Sequence, residues 1–329
     1  MEKYLKKQLI IEPSPHIRSH NSTKKIMTSV AIATIPATLM SSYIFGPRAL
    51  LLIVVCISSC VFFEAAFRWI FKKDVSTVLD FSAVVTGILL AFNLPVSLPL
   101  YMAVIGSFAA IVVVKEMFGG LGQNFANPAI VGRIVLVLSF PAHMSNYPVA
   151  FHHRGMNLPP YLEQFTSNAS YADAITAPTP LALEKAPSLF ELFFGFHGGS
   201  LGETCAAALL IGFVCLLAMR IIRPITPLVF IGTVAIGTYI ASGGDSMASL
   251  NSILTGGLLL GAIFMATDYA TNPMTLYGKM LFGFGCGLIT FIIRQYGGMN
   301  EGVAFSILTM NILTPFIDKI TRPKPFGKK

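Results

Sequence analysis

A threonine held between two prolines is the residue of this chain whose chemistry is most accessible. In the stretch YADAITAPTPLALEK, Pro178 and Pro180 flank Thr179, and Asp173 and Thr176 lie a few residues upstream. Proline restricts its own backbone and that of the preceding residue, so the segment favours an extended form that presents the Thr179 hydroxyl. An extended, exposed hydroxyl of this kind is easily presented to a modifying enzyme. A proline-rich turn that carries no modification is the structural alternative.

A second polar patch is the stretch GGLGQNFANPAIVGR, which begins at Gly119. Asn124 and Asn127 lie three residues apart, so in a helix they would face the same way, and Pro128 suits a first helical turn. Two amide side chains at this place can either cap the helix or bind a ligand, and the residues alone leave both open. The glycines follow no strand, so they are weak evidence for phosphate binding.

Three ionisable residues lie in or near apolar segments. Arg133 falls about two turns inside one such segment, whereas Asp80 and Asp268 lie near the ends of theirs. An ionisable group within a membrane helix is costly and usually faces a partner or a water-filled cavity. Extension of the side chain to the membrane surface is the alternative for each of them.

The composition of the chain indicates that these groups lie in a membrane protein. The chain has 329 residues, of which 54% are hydrophobic and 12% are charged, whereas soluble domains carry about 25% charged residues. The apolar residues form long blocks of the length that crosses a bilayer. The net charge of +8 therefore indicates basic membrane-facing loops and tails, with lipid and not nucleic acid as the neighbour.

The apolar blocks predict an all-α polytopic membrane protein with about ten transmembrane helices. Basic residues alternate between connections, with Lys72, Lys73, Lys115, Arg220, Arg223 and Lys279 on the side of both termini. Because cytoplasmic loops are enriched in Lys and Arg, both tails are expected in the cytoplasm and the long loop 142–203 outside it. The ten predicted spans lie near residues 26–44, 50–70, 78–94, 99–117, 125–141, 204–219, 224–241, 250–267, 277–294 and 302–318.

An internal similarity predicts a five-plus-five inverted repeat. When the sequence is shifted by about 178 residues, Pro95 aligns with Pro273 without a gap, and the following apolar segments match in pattern. The two prolines fall on opposite sides of the membrane, so the halves are inverted, and such repeats often hold functional sites at their interface. Chance similarity between two apolar helices is the alternative. The expected organisation is a tail 1–25, a first repeat 26–141, the loop 142–203, a second repeat 204–318 and a tail 319–329.

Three segments resemble one known family. The stretch DAITAPTPLAL is similar to the flavin-attachment segment of the D subunit of Rnf-type ion-translocating electron transport complexes, a relative of the B subunit of the quinone-reducing sodium pump. GGLGQNFANPAIVGR and FMATDYATNPMT also resemble family segments, in the same order. Mapped here, the attachment motif is Thr176-Ala177-Pro178-Thr179, with Pro178 in place of the usual alanine.

The resemblance implies a function and its cofactors. It implies FMN bound through its phosphate to Thr179, with Asp173 and Thr176 beside it, and a second, noncovalent flavin for which riboflavin is the candidate. Asn124 and Asn127 are the implied contacts of that second flavin, and Arg133 belongs to the same segment. The implied protein is one component of a translocase and oxidoreductase in the cytoplasmic (inner) membrane, which couples electron flow to Na⁺ or H⁺ and works with the A, B, C, E and G components of the Rnf complex. The flavin loop would lie on the extracytoplasmic side.

A protein of another class remains as the alternative. Inverted repeats also build secondary transporters that carry no flavin, and Asp80, Arg133 or Asp268 would then bind the substrate or ion.

Overall fold

The computed structural model describes residues 22–73, 75–148, 150, 188–297 and 301–322, and its regular elements are helices. Two helices run on as π-helices, and a short 3₁₀ helix, Val75–Asp80, precedes α4. In chain order the α-helices are α1 (Thr23–Ala33), α2 (Ile35–Phe45), α3 (Pro47–Ile70), α4 (Ser82–Phe92), α5 (Leu100–Phe108, continued by π-helix Ala109–Glu116), α6 (Pro128–Ser139), α7 (Pro141–Met144), α8 (Leu189–Phe194), α9 (Ala206–Ala218), α10 (Ile225–Ala241), α11 (Ser246–Leu254), α12 (Leu258–Leu260, continued by π-helix Gly261–Met265), α13 (Leu276–Tyr296) and α14 (Val303–Thr321).

The helices fit a multi-pass membrane protein. Four helical stretches of the described residues are long and apolar enough to cross a bilayer: α1 with α2, α3, α13 and α14. A bent pair, Ser246–Leu254 with Leu258–Met265, would make a fifth. Helical segments also lie at the other predicted spans. Where such a segment is a single α-helix, as in α6, α9 and α10, it is shorter than the four stretches named above. The prediction of a polytopic helical protein is thus confirmed, whereas the number of ten spans stays a prediction.

Two of the predicted spans are broken. The bent pair turns by 65° between Leu254 and Leu258, where Gly256 has a φ of 66° that favours glycine. In the first half, α4 is separated from the preceding 3₁₀ helix at Phe81, which also has a φ of 66°. Broken helices leave backbone groups without helical partners, so polar or charged side chains are needed at both breaks.

Small residues let the helices approach closely. A Cβ atom at Gly87 of α4 would lie 2.7 Å from the Cα atom of Ile57 in α3. Close approach of backbones is a common way to pack helices in membranes, where dispersion contacts replace the hydrophobic effect. The α3–α4 pair therefore depends on this glycine.

Gly87→Ala is expected to destabilise the protein by about 1–3 kcal/mol, because the added methyl group forces α3 and α4 apart. Gly232→Ala in α10 is the matched control, since a Cβ atom there meets nothing within 4 Å. That control should be neutral or stabilising, because alanine forms helix better than glycine. Thermal unfolding of both purified variants measures the difference, and equal midpoints would contradict the close-packing argument.

The segment 195–205 turns inward between the halves. The N–H groups of Leu201 and Gly202 donate to the carbonyl oxygens of Leu94 and Phe92 at 3.1 and 2.9 Å. A Cβ atom at Gly202 would lie 2.4 Å from the Cβ atom of Phe92, so only glycine fits there. These contacts bring Glu203 into the protein interior, where it is 3% exposed.

Candidate functional site

The polar turn before α6 is fixed by its own amide groups. Asn127 is the N-cap of α6: its Oδ1 accepts from the N–H of Ala129 at 3.0 Å, and Pro128 is the first helical residue. The Asn127 Nδ2 donates across to the carbonyl oxygen of Met265 at 3.2 Å, which joins this turn to the second half. The Asn124 Nδ2 donates to the carbonyl oxygen of Ala126 at 2.9 Å.

The positions of Asn124 and Asn127 correct one expectation from the sequence and show that two others are compatible. Asn124 and Asn127 do not share a helix face, because α6 begins only at Pro128 and both residues precede it. The capping interpretation of Asn127 is confirmed. Both residues nevertheless line one cavity, so capping and a position beside a ligand space are compatible at Asn127.

The cavity, called the central cavity below, lies between α1, α4, the turn before α6 and the end of the second broken span. Its empty space is about 740 Å³ when the part open to solvent is included. Apolar walls from Leu89 and Phe264 face polar groups from Asn124, Lys115 and Asp268. A flat, largely apolar molecule with a few polar edges suits this lining.

Two side chains that line the central cavity, Asn124 and Asp268, carry oxygen atoms that can accept hydrogen bonds. The Asn124 Oδ1 is buried and has no hydrogen-bond partner, an arrangement that costs free energy unless a ligand or water supplies a donor. Burial raises the pKa of the Asp268 carboxyl, and hydrogen bonds from the Thr271 hydroxyl and from backbone N–H groups partly offset this effect.

A buried cluster of four charges, the first-half cluster, adjoins this cavity. Lys115 Nζ lies 2.8 Å from the Glu64 Oε2 and donates to the Ser82 Oγ at 2.7 Å, and Arg68 Nη2 lies 3.0 Å from the Glu116 Oε1. Glu64 and Glu116 are fully buried. Lys115 thus satisfies Ser82 at the first helix break and is not the surface cation that its place in a predicted connection indicated.

Arg133 is the centre of a second cluster, the inter-half cluster. Its Nη1 donates to the Asn93 Oδ1 at 2.8 Å and to the Glu203 Oε1 at 3.0 Å, and its Nη2 pairs with the Glu301 Oε2. Glu301 also accepts from the N–H of Gly257 at 2.9 Å, so it satisfies the second helix break. The interpretation that Arg133 faces a partner is therefore correct, and extension to the surface is excluded.

The remaining candidates fall in different places. Asp80 accepts from the N–H and hydroxyl groups of Ser82 and so supports the first break. Arg133 does not line the central cavity, so the structure separates it from the two asparagines. Asp173, Thr176 and Thr179 lie outside the described residues.

Sequence reasoning missed the acidic half of both clusters. Glu64 and Arg68 stand four residues apart in an otherwise apolar block, and this spacing is the signal that could have identified them as a buried pair. Glu203 and Glu301 lie outside the predicted spans or at their ends, and nothing in their local sequence marks them as partners of Arg133.

Together the fold and the site define a class: a multi-pass helical membrane protein whose described residues include two broken helices, two buried ion clusters and a polar-rimmed cavity. A model of the NQR2, RnfD, RnfE family matches residues 10–327, so the chain belongs to that family. The match covers nearly the full length of the chain.

Named relatives agree with this membership. The chain is 43% identical to the D subunit of the Na(+)-translocating ferredoxin:NAD(+) oxidoreductase complex of Acetobacterium woodii, over 97% of this chain and 95% of that one. It is 38% identical to the D subunit of the proton-translocating ferredoxin:NAD(+) oxidoreductase complex of Clostridium ljungdahlii, over 100% and 99%. It is 36% identical to the D subunit of the ion-translocating oxidoreductase complex of Stutzerimonas stutzeri, over 94% and 93%.

Proposed function

We propose that this chain is the D subunit of an ion-translocating ferredoxin:NAD(+) oxidoreductase complex, where it passes electrons beside the other membrane and peripheral subunits. The end-to-end similarity to three relatives with that name carries the proposal, because neither this chain nor a relative has a large unmatched segment. The covalent FMN is assigned to the Thr179 hydroxyl, on the strength of the motif in the sequence.

The second, noncovalent flavin is assigned to the central cavity. A bound flavin supplies one- and two-electron transfer, so it can join carriers of both kinds. The Asn124 Oδ1, which is buried without a partner, is available to accept from an N–H group of the ring system. Leu89 and Phe264 provide apolar walls, and Lys115, whose charge is paired with Glu64, lies at the polar end.

Asn124→Ala is expected to weaken noncovalent flavin binding roughly tenfold, because one buried hydrogen bond to the ligand is lost. The measurement is the flavin released by acid per purified complex, compared with covalent flavin fluorescence, which should not change. Asn251→Ala is the matched control, since the Asn251 Oδ1 is also buried without a partner but does not line the central cavity. Equal flavin release from both variants and the parent would contradict the assignment.

The coupled ion is Na⁺ or H⁺, and the relatives are named for both: the protein of Acetobacterium woodii for sodium and that of Clostridium ljungdahlii for protons. The five-plus-five inverted repeat and the extracytoplasmic position of loop 142–203 belong to the same proposal. The occurrence of one helix break in each half, each met by a buried ion cluster, supports the repeat.

A flavin-free transporter is the competing function, and the two broken helices favour it, because discontinuous helices often form ion sites. A flavoprotein and a flavin-free transporter differ in colour. The proposed subunit should be yellow when purified, and its band should fluoresce after denaturing electrophoresis, because a covalent flavin survives unfolding. A colourless complex with a dark band would overturn the flavoprotein function and leave the transporter.

A further inference from the structure

A second cavity, called the basic pocket below, opens beside the central cavity. It lies between the turn that joins α9 to α10 and the segment that leads into α13. Its space is about 990 Å³, including the part open to solvent. Ile222, Thr267, Asp268 and Tyr269 line both cavities, so the two spaces are neighbours.

The charge of the basic pocket is not balanced by the protein. Arg220, Arg223 and Lys279 line it, and none of them pairs with a carboxylate in the part of the chain that the structure describes. The one carboxylate of the lining, Asp268, already accepts from the Thr271 hydroxyl. Like charges gathered without counter-charges repel one another, so a bound anion would stabilise this arrangement.

The neutral side chain of Asn272 adds a second requirement for the ligand, a hydrogen-bond donor. The Asn272 Oδ1 lines the basic pocket and is buried without a hydrogen-bond partner, while its Nδ2 donates to the Thr226 hydroxyl at 3.4 Å. An unused carbonyl oxygen beside three cations fits a ligand that carries both a phosphate and a hydroxyl donor.

The rim of the basic pocket is that of a membrane surface. Met274 is 87% exposed, and Tyr277, which follows the first residue of α13, is 74% exposed. Tyrosine is enriched where a helix leaves the bilayer, and basic pockets between helices at this level bind lipid head groups.

We propose that the basic pocket binds a phosphate group through Arg220, Arg223 and Lys279, with Asn272 accepting from a hydroxyl of the same molecule. An anionic phospholipid is one source of that group. The phosphate end of a flavin mononucleotide in the central cavity is the other, and only this second source rests on the proposed function.

Arg220 lies at a turn whose backbone conformation suits glycine, so it can be replaced by glycine without strain. The N–H of Ile221 donates to the carbonyl oxygen of Leu216, and that of Arg220 to Leu217, which is the hydrogen-bond pattern that ends a helix with a left-handed residue. Arg220 has a φ of 53°, where glycine is less strained. Arg220→Gly therefore removes the guanidinium group without harming the fold. Lys72, with a φ of 52° at the end of α3, allows the same change outside the pocket.

The test uses the delipidated, purified complex and four probes: phosphatidylglycerol, phosphatidylcholine, riboflavin 5′-phosphate and riboflavin. Retained ligand is counted by native mass spectrometry, and the thermal midpoint is followed as each probe is added. Arg220→Gly and the triple variant Arg220→Gln/Arg223→Gln/Lys279→Gln should each weaken phosphate-bearing ligands, the triple variant by roughly tenfold or more. Lys72→Gly and the triple variant Lys25→Gln/Lys319→Gln/Arg322→Gln, which removes the same charge elsewhere, should bind as the parent does.

The pattern of losses identifies the source. If phosphatidylglycerol binding falls and the two flavins bind equally, the phosphate belongs to lipid, and this result stands whether or not the chain carries flavin. If the parent prefers riboflavin 5′-phosphate to riboflavin and the pocket variants lose that preference, the phosphate belongs to the flavin. Should the pocket variants and their matched controls respond alike to all four probes, the basic pocket is not a phosphate site.

Discussion

Thr179→Val is expected to abolish the covalent flavin and to reduce electron transfer through the assembled complex to background. The hydroxyl is the only group of threonine that can form a phosphoester, and valine replaces it with a methyl group of similar size. The membrane helices should therefore remain intact while the carrier is lost. Fluorescence of the denatured band measures attachment, and ferredoxin-dependent reduction of NAD⁺ by membranes measures electron flow.

Two further variants separate attachment from other effects. Thr179→Ser keeps a hydroxyl and should retain part of the flavin, whereas Thr176→Val should retain all of it. Peptide mass analysis should place the added mass on Thr179 in the parent and in Thr176→Val. Covalent fluorescence that persists in Thr179→Val but disappears in Thr176→Val would move the attachment to Thr176.

Arg133→Gln is expected to lower the stability of the protein by more than Gly87→Ala does. It would leave Glu203 buried and Glu301 half-buried without the Arg133 cation, and breaking a buried ion pair from one side costs about 3–5 kcal/mol. The thermal midpoint of the detergent-solubilised complex measures this loss. Arg48→Gln is the control, because the Arg48 side chain donates to the carbonyl oxygens of Val96 and Ser97. Its removal therefore leaves no buried carboxylate without a cation.

A compensating variant tests the cause of that loss. Arg133→Gln combined with Glu203→Gln and Glu301→Gln removes all three charges and keeps similar side-chain volumes. Because an uncompensated charge is costlier than an absent ion pair, the triple variant should recover most of the lost stability. A triple variant that is less stable than Arg133→Gln would show that the charges themselves, and not their imbalance, hold the two halves.

The sequence was a good guide to whatever is encoded locally. Long apolar blocks predicted the helices because the bilayer sets their length, and Pro128 after Asn127 predicted where α6 begins because capping involves only neighbours. For Arg133 the sequence left two possibilities open, a partner or water-filled cavity and extension to the membrane surface, and the structure shows the partner. The helix breaks were not predicted, although Gly256 lies in an apolar block where glycine permits a positive φ.

Pairings between distant residues could not be read in the same way. Lys115 is 51 residues from Glu64, and Arg133 is 168 residues from Glu301. Such contacts depend on how helices pack, and no spacing rule connects them. The polar end of the central cavity is similar, because Asn124 and Asp268 come from opposite halves of the chain.

The inter-half cluster also constrains the order in which the protein can be completed. Arg133 leaves the ribosome 70 residues before Glu203 and 168 residues before Glu301. Until Glu203 is synthesised, the nascent first half holds the Arg133 cation with neither carboxylate available, and an unpaired ionisable group is costly in lipid. The first half is therefore a poor intermediate by itself: Glu203 supplies the first counter-charge of Arg133, and Glu301, synthesised 168 residues after Arg133, adds the second contact of the cluster.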